Sequence, residues 1–139
     1  MKIQIIGYSG SGKSTLAKIL ANHYNLPLLY LDAVNFYGDW QERAIDEKNA
    51  IVEQFLNDNT NGWVIDGNYS NIAKRRFEES DVTIFLNYNR FYCFKMAKKR
   101  FRENKNKKRE SCPCIEKFDL GFKWWILYQS RTTKRRKKH

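Results

Sequence analysis

The run Gly7-Tyr8-Ser9-Gly10-Ser11-Gly12-Lys13-Ser14 constrains this chain more than any other feature. It fits the pattern G-x-x-x-x-G-K-S/T at every fixed position. Lys2-Ile3-Gln4-Ile5-Ile6 before it reads as a buried strand, and residues 15–21 after it read as a helix. A strand that turns through glycines into a helix opens a βαβ unit. The pattern therefore sits in the structural context it requires.

The residue types carry a physical meaning. Glycines let the backbone curl so that successive N–H groups point inward. The helix that follows adds its positive N-terminal end. Such a loop cradles phosphate. Gly7, Ser9, Gly10, Ser11, Gly12 and Thr15 are the expected cradle, Lys13 a point charge for the β- and γ-phosphates, and the Ser14 hydroxyl a ligand for Mg²⁺. ATP and Mg²⁺ are thus the expected cofactors. A dinucleotide fold is disfavoured, because Thr15 stands where a third glycine would follow Gly10 and Gly12.

The rest of the chain supplies a matching scaffold. Apolar runs at 28–31, 63–65 and 82–86 read as further strands. Helical spacing recurs over about 44–57, 71–78 and 90–103, with a last helix from about Phe118 through Tyr128 into a basic tail. Residues 33–43 read as a loop and 104–115 as polar and irregular. Alternating strands and helices predict an α/β fold of three layers around a parallel sheet. At 139 residues, one domain is expected. Ligands of such sheets lie at the carboxyl ends of the strands, so Gly7, Asp32, Asp66 and Asn87 should share one rim.

Charge divides the chain. Residues 1–69 carry 5 Lys/Arg and 8 Asp/Glu, while residues 70–139 carry 21 and 7, so the halves are −3 and +14 and sum to the net +11. A basic half of this kind suits DNA, the cationic lid of a phosphotransferase, or a solvated helix face. No apolar run reaches membrane-spanning length, the N-terminus enters a strand directly, and three cysteines make no disulfide framework. A cytoplasmic location without membrane contact is the expectation.

Two carboxylates follow strands. Asp32 and Asp66 are each placed to orient an acceptor, act as general base or hold Mg²⁺ through water. Arginines fall where phosphates need bidentate partners: Arg76, Arg90, Arg100 and Arg131. Arg90 is expected near the reacting groups and Arg100 over the adenine or phosphates. Arg75, Arg102, Arg109, Arg135 and Arg136 read as surface charge. Cys112-Pro113-Cys114 has too few partners for structural zinc and reads as a lid-loop turn.

Taken together, several segments resemble the bacterial DNA topology modulation proteins (FlaR-related), within the adenylate-kinase-like P-loop kinases. They are residues 7–14, Tyr30-Leu31-Asp32, Trp63 to Tyr69, Arg76, Asp81 to Leu86, and Cys114 to Asp119 with a following Trp124 or Trp125. The resemblance implies a parallel sheet of order 2-3-1-4-5, with Asp66 between Mg²⁺ and acceptor. Nucleotide kinases continue with Phe-Pro-Arg, whereas this chain reads Asn68-Tyr69-Ser70, so Arg76 is the expected stand-in for the acceptor clamp. Relatives add a last strand that this chain is expected to lack, leaving order 2-3-1-4 with strand four as an open edge. That predicts a monomer or a weak homodimer. The whole of 1–139 is then one kinase-like domain with a lid-like segment near 104–120 and a basic C-terminal tail.

The expected function is a small phosphotransferase that moves phosphate from Mg·ATP to a nucleoside or nucleotide. Asp32, Arg76, Arg90 and Arg131 would face the acceptor, and Lys13, Asp32, Asp66 and Arg90 the chemistry. The alternative is a nucleotide-dependent, DNA-binding regulator of topology without kinase turnover.

Overall fold

A computed structural model of the chain describes residues 1–8, 10–38, 40–104, 108–109, 111–115 and 123. Strand β1 spans Lys2–Gly7 and leads through the glycine loop into α1, Lys13–Tyr24. Gly12 is the N-cap, with φ 88° and no side-chain cap. The first N–H groups of α1 are thus left for a ligand in the loop rather than for a capping residue. Asn25 ends α1 in the left-handed region, φ 52°, with its N–H on Ala21 O.

Then follow β2 (Leu28–Tyr30), α2 (Leu31–Asn35), α3 (Ile45–Asp58), β3 (Trp63–Asp66), α4 (Arg75–Glu79), β4 (Val82–Leu86) and α5 (Arg90–Glu103). The four strands form a parallel sheet of order β2-β3-β1-β4, as anticipated. Register places Tyr30 opposite Asp66, Ile5 opposite Asp66 and Gly7 opposite Leu86. The strand ends that carry Gly7, Asp66 and the start of α2 therefore share one rim. Among the described residues β4 is an edge of the sheet.

The β3 strand is buried on both faces and feeds two cores. Trp63 and Ile65 pack with Leu31, Val34, Val52, Leu56 and Ile72 under α2 and α3. Val64 turns the other way, onto Ile3, Ile5, Ala17 and Ala21 under α1. Alternation along a strand divides its side chains between the two layers. Each Leu, Ile or Val side chain so buried contributes about 1.5–3 kcal/mol. Among the described residues no helix is long and apolar enough to cross a membrane.

Three local expectations change. The loop expected over 33–43 begins as α2, and its two sides then meet in an antiparallel bridge between Phe36 and Glu42. The helix expected from residue 71 starts at Arg75, because Ala73 takes a left-handed φ of 42° that no continuous helix permits. The irregular stretch 104–115 contains an antiparallel hairpin, β5 (Lys108–Arg109) with β6 (Cys112–Ile115). Strands this short leave too few residues for an alternating pattern. The helix expected from Phe118 and the basic tail lie outside the described residues, apart from Lys123.

Candidate functional site

A cavity of about 940 Å³ opens at the carboxyl ends of β1, β2 and β3. Gly10 to Thr15 form its floor, with Lys18, Ile19 and Asn22 of α1 beside them. Asp32, Asp66 and the turn Gly67-Asn68-Tyr69 form one wall, and Tyr92, Met96, Arg100 and Glu103 of α5 another. Lys99 and Asn104 extend that wall, and Tyr30, Phe36, Trp40 and, from the hairpin, Arg109, Ser111 and Cys112 complete the lining.

The floor depends on close packing. Gly10 has φ 81°, and a Cβ built on it would stand 2.2 Å from Cys93 O of α5. Only glycine lets the loop press against that helix. At the base of the loop, Gly7 N–H donates to Asn68 Oδ1 at 2.8 Å, and Asn68 Nδ2 donates back to Gly7 O. The turn after β3 thus clamps the start of the cradle. Gly7 itself does not line the cavity.

Charge converges on the floor. Ser14 Oγ donates to Asp66 Oδ2 at 2.8 Å, and Asp66 is buried. Burial raises the Asp66 pKa, opposed by the charge of Lys13 and the Ser14 hydroxyl. Lys13 Nζ donates to Tyr8 O at 3.2 Å. Burial pulls its pKa below the ordinary lysine value, opposed by Asp66 and Asp32, while Arg100 lowers it further. Each charge is thus less favoured here than in water. Phosphate oxygens would favour the charged lysine, and a divalent cation the charged aspartate. Asp66 Oδ1 is buried with no hydrogen-bond partner among the described residues. With Ser14 Oγ it forms an all-oxygen donor set of the kind a hard cation takes, so these residues fit Mg²⁺.

Asp32 stands in the first turn of α2, within the same cavity. Its Oδ1 accepts from Tyr69 Oη at 2.7 Å. The structure therefore brings Lys13, Ser14, Asp32, Asp66 and Arg100 together, with Gly10, Ser11, Gly12 and Thr15. Ser9 and Arg131 lie outside the described residues.

Two arginines are placed elsewhere than expected. Arg76 does not line the cavity and is fully buried. Its Nε donates to Ile72 O at 3.1 Å, Nη1 to Gln4 Oε1 at 2.6 Å and Nη2 to Tyr69 O at 2.5 Å. A guanidinium with its donors turned into the core cannot clamp an acceptor, which corrects the reading of Arg76 as a phosphate ligand. Desolvation lowers its pKa to about 10. Arg90 begins α5 with its guanidinium 5.1 Å from the Phe91 ring centroid, and it too is not part of the cavity wall. Its expected catalytic place is not the one this fold gives it.

Other residues enter that sequence reasoning set aside or passed over. Arg109, read as surface charge, lines the cavity, and its charge lowers the pKa of Asp66. Cys112 lies beside it, its thiol pushed up to about 12 chiefly by burial. Cys114 Sγ accepts from Trp40 N–H at 3.2 Å and ties the hairpin to the loop after α2. Tyr69 and Asn68 carried one signal in the sequence, the departure from Phe-Pro-Arg after Asp66-Gly67.

Comparison with known proteins bears on this site. Residues 3–86 match the ATPase family associated with various cellular activities (AAA). That stretch includes the glycine loop, Asp32, Asp66 and Tyr69. The chain is 42% identical over 52 residues to an uncharacterized AAA domain-containing protein, ycf46, of Guillardia theta. The match covers 37% of this chain and spans 10% of that relative. A crystal structure of an uncharacterized protein from Eubacterium ventriosum superposes with TM-score 0.54 at 20% identity, over 96% of this chain and 73% of the other. That likeness supports the fold.

Proposed function

The chain belongs to the ATPase family associated with various cellular activities, which supports ATP binding, and we propose that it takes Mg·ATP into its glycine loop and passes the γ-phosphoryl group to a small acceptor, a nucleoside or nucleotide, beside Asp32. The observation that carries this reading is the second carboxylate. Asp32 shares the cavity with the phosphate loop, and Tyr69 bonds one of its oxygens. Hydrolysis needs only a water at the γ-phosphate. Here the wall continues past Asp32 through Tyr30, Phe36 and Trp40, flat faces suited to a second molecule. The volume, about 940 Å³, is at the upper end of single-ligand sites, which run to roughly 1,000 Å³. The resemblance to the DNA topology modulation proteins supports the same reading.

Each residue then has a task. The loop N–H groups and Lys13 hold the phosphates. Ser14 and Asp66 would hold Mg²⁺, which would neutralise phosphate charge. Asp32 accepts the proton of the acceptor hydroxyl as that oxygen attacks the γ-phosphorus, and the bond to the bridging oxygen breaks to release ADP. Arg100 and Arg109, both lining the cavity, offset the charge that develops on the transferred group. The hairpin that carries Arg109 shields this end of the cavity from water. The described cysteines, Cys93, Cys112 and Cys114, are free and buried, which suits a reducing cytoplasm where ATP is abundant.

The test is ADP formation from Mg·ATP, alone and with pooled nucleosides and nucleoside monophosphates. Lys13→Ala is the control for contaminating activity. ADP that requires an acceptor and disappears in Lys13→Ala supports phosphotransfer. ADP without any acceptor dependence rejects it in favour of a plain ATPase.

A second reading has its own observation. Helix α5 exposes Lys95, Lys98, Lys99 and Arg102, a cationic face for DNA. Binding that falls about three to five decades between low and moderate salt would mark many phosphate contacts. A preference for supercoiled over relaxed DNA would then favour the regulator.

A further inference from the structure

We infer that Tyr69 is a positioning residue that sets the Asp32 carboxylate against the phosphate loop, an inference that rests on the phosphotransfer reading above. Tyr69 Oη donates to Asp32 Oδ1 at 2.7 Å, so one carboxylate oxygen is held and the other is left for an acceptor hydroxyl. Burial and the neighbouring Asp32 charge both push the Tyr69 pKa upward, so the phenol stays a donor across the working range.

What makes this more than a local contact is how Tyr69 is itself anchored. Arg76 reaches the first and last carbonyls of the 69–72 turn that carries Tyr69, Tyr69 O at 2.5 Å and Ile72 O at 3.1 Å. Ile72 N–H closes the same turn on Tyr69 O at 3.1 Å. The third Arg76 nitrogen holds Gln4 Oε1 at 2.6 Å, in the middle of β1. β1 ends at Gly7, and Gly7 is clamped on both its N–H and C=O by Asn68, the neighbour of Tyr69. Two adjacent residues therefore hold two different parts of the site. Asn68 fixes the phosphate cradle, and Tyr69 fixes the carboxylate. Through Arg76 and Gln4 both are referenced to the same strand.

Geometry of this kind matters because transfer requires the hydroxyl, the base and the γ-phosphorus in line. A displacement of about 1 Å can cost roughly a hundredfold in rate. A tyrosine whose ring merely filled space would be replaced by phenylalanine without loss, since the ring packs against the Leu31, Val34 and Ile72 cluster in either case.

The experiment measures acceptor-dependent ADP formation by wild type, Tyr69→Phe, Asp32→Ala and the double variant, with Mg·ATP binding followed by calorimetry. Tyr69→Phe should lower kcat about ten- to a hundredfold while leaving Mg·ATP affinity and KM for ATP unchanged. In the Asp32→Ala background the same substitution should lower the rate no further, because the partner it positions is gone. Wild-type kcat in Tyr69→Phe, or full additivity with Asp32→Ala, overturns the role while leaving phosphotransfer standing. Absence of acceptor-dependent ADP from the wild type rejects phosphotransfer, and this role with it. Unchanged Mg·ATP affinity in Tyr69→Phe also establishes that the variant is folded.

Discussion

Ser14 Oγ meets Asp66 Oδ2 at 2.8 Å, across 52 residues of chain. The contact joins the first turn of α1 to the last residue of β3, and it leaves Asp66 Oδ1 facing no hydrogen-bond donor among the described residues. Ser14→Ala removes one donor atom from this oxygen set. The Mg²⁺ concentration for half-maximal ATP turnover should rise about 10–100-fold. Asp66→Asn, which also removes the charge, should raise it more. A Mg²⁺ titration at saturating ATP checks both, and an unchanged requirement in Ser14→Ala would remove Ser14 from the cation site.

Gly10 and Gly12 make a controlled pair. Both have positive φ, 81° and 88°, so alanine at either is strained by about 1–2 kcal/mol. Only at Gly10 does the added Cβ meet backbone, Cys93 O at 2.2 Å. At Gly12 it meets nothing within 4 Å. Thermal melting should therefore show Gly10→Ala clearly less stable than Gly12→Ala. Equal melting temperatures would mean that α5 can yield at Cys93.

Arg76 has a structural burden that no smaller cation can take over. Lysine cannot serve Gln4, Tyr69 and Ile72 at once. Arg76→Lys and Arg76→Met should each lower stability by about 1–3 kcal/mol, chiefly through Gln4 Oε1 left without its donor in the core. Urea unfolding gives the value. A midpoint within error of wild type would show that the turn at 69–72 holds without the guanidinium.

Tyr69 should shape alkaline stability. Its folded pKa is raised, first by burial and then by Asp32. The folded state thus keeps a proton that the unfolded chain releases above about pH 10. Unfolding then releases protons, so this contribution is present below that pH and is lost as pH rises beyond it. Tyr69→Phe removes it, and stability plotted against pH should fall less steeply above pH ~10 than in wild type. Parallel curves would place the Tyr69 pKa near the ordinary value.

Much of the scaffold could be read from local pattern. The bounds expected for α5 agree with Arg90–Glu103, and those for α3 lie within one residue of Ile45–Asp58. Helical periodicity and turn residues are local, so they survive without knowledge of neighbours. The four-strand order agrees as well, although it came from resemblance, since pairing of β1 with β3 and β4 joins distant segments. The arginines were the weak point. Arg76 and Arg109 carry the same group, yet one is enclosed beneath the sheet and the other faces the cavity. Composition and spacing contain no term for which side of an element meets the core when the residue is charged.

By itself the sequence determined the phosphate cradle. Glycine freedom, a helix start and the Lys13-Ser14 pair are properties of consecutive residues, and the physics of anion binding follows from them wherever the loop is placed. It also determined that two carboxylates would follow strands. Only the tertiary structure decided that Asp66 meets Ser14, that Asp32 is held by Tyr69, and that Arg76 grips the turn behind them instead of a ligand. The reason is distance along the chain. These partners are 52, 37 and 7 residues apart, and their meeting depends on sheet register and on the turn after β3, which short-range pattern does not encode.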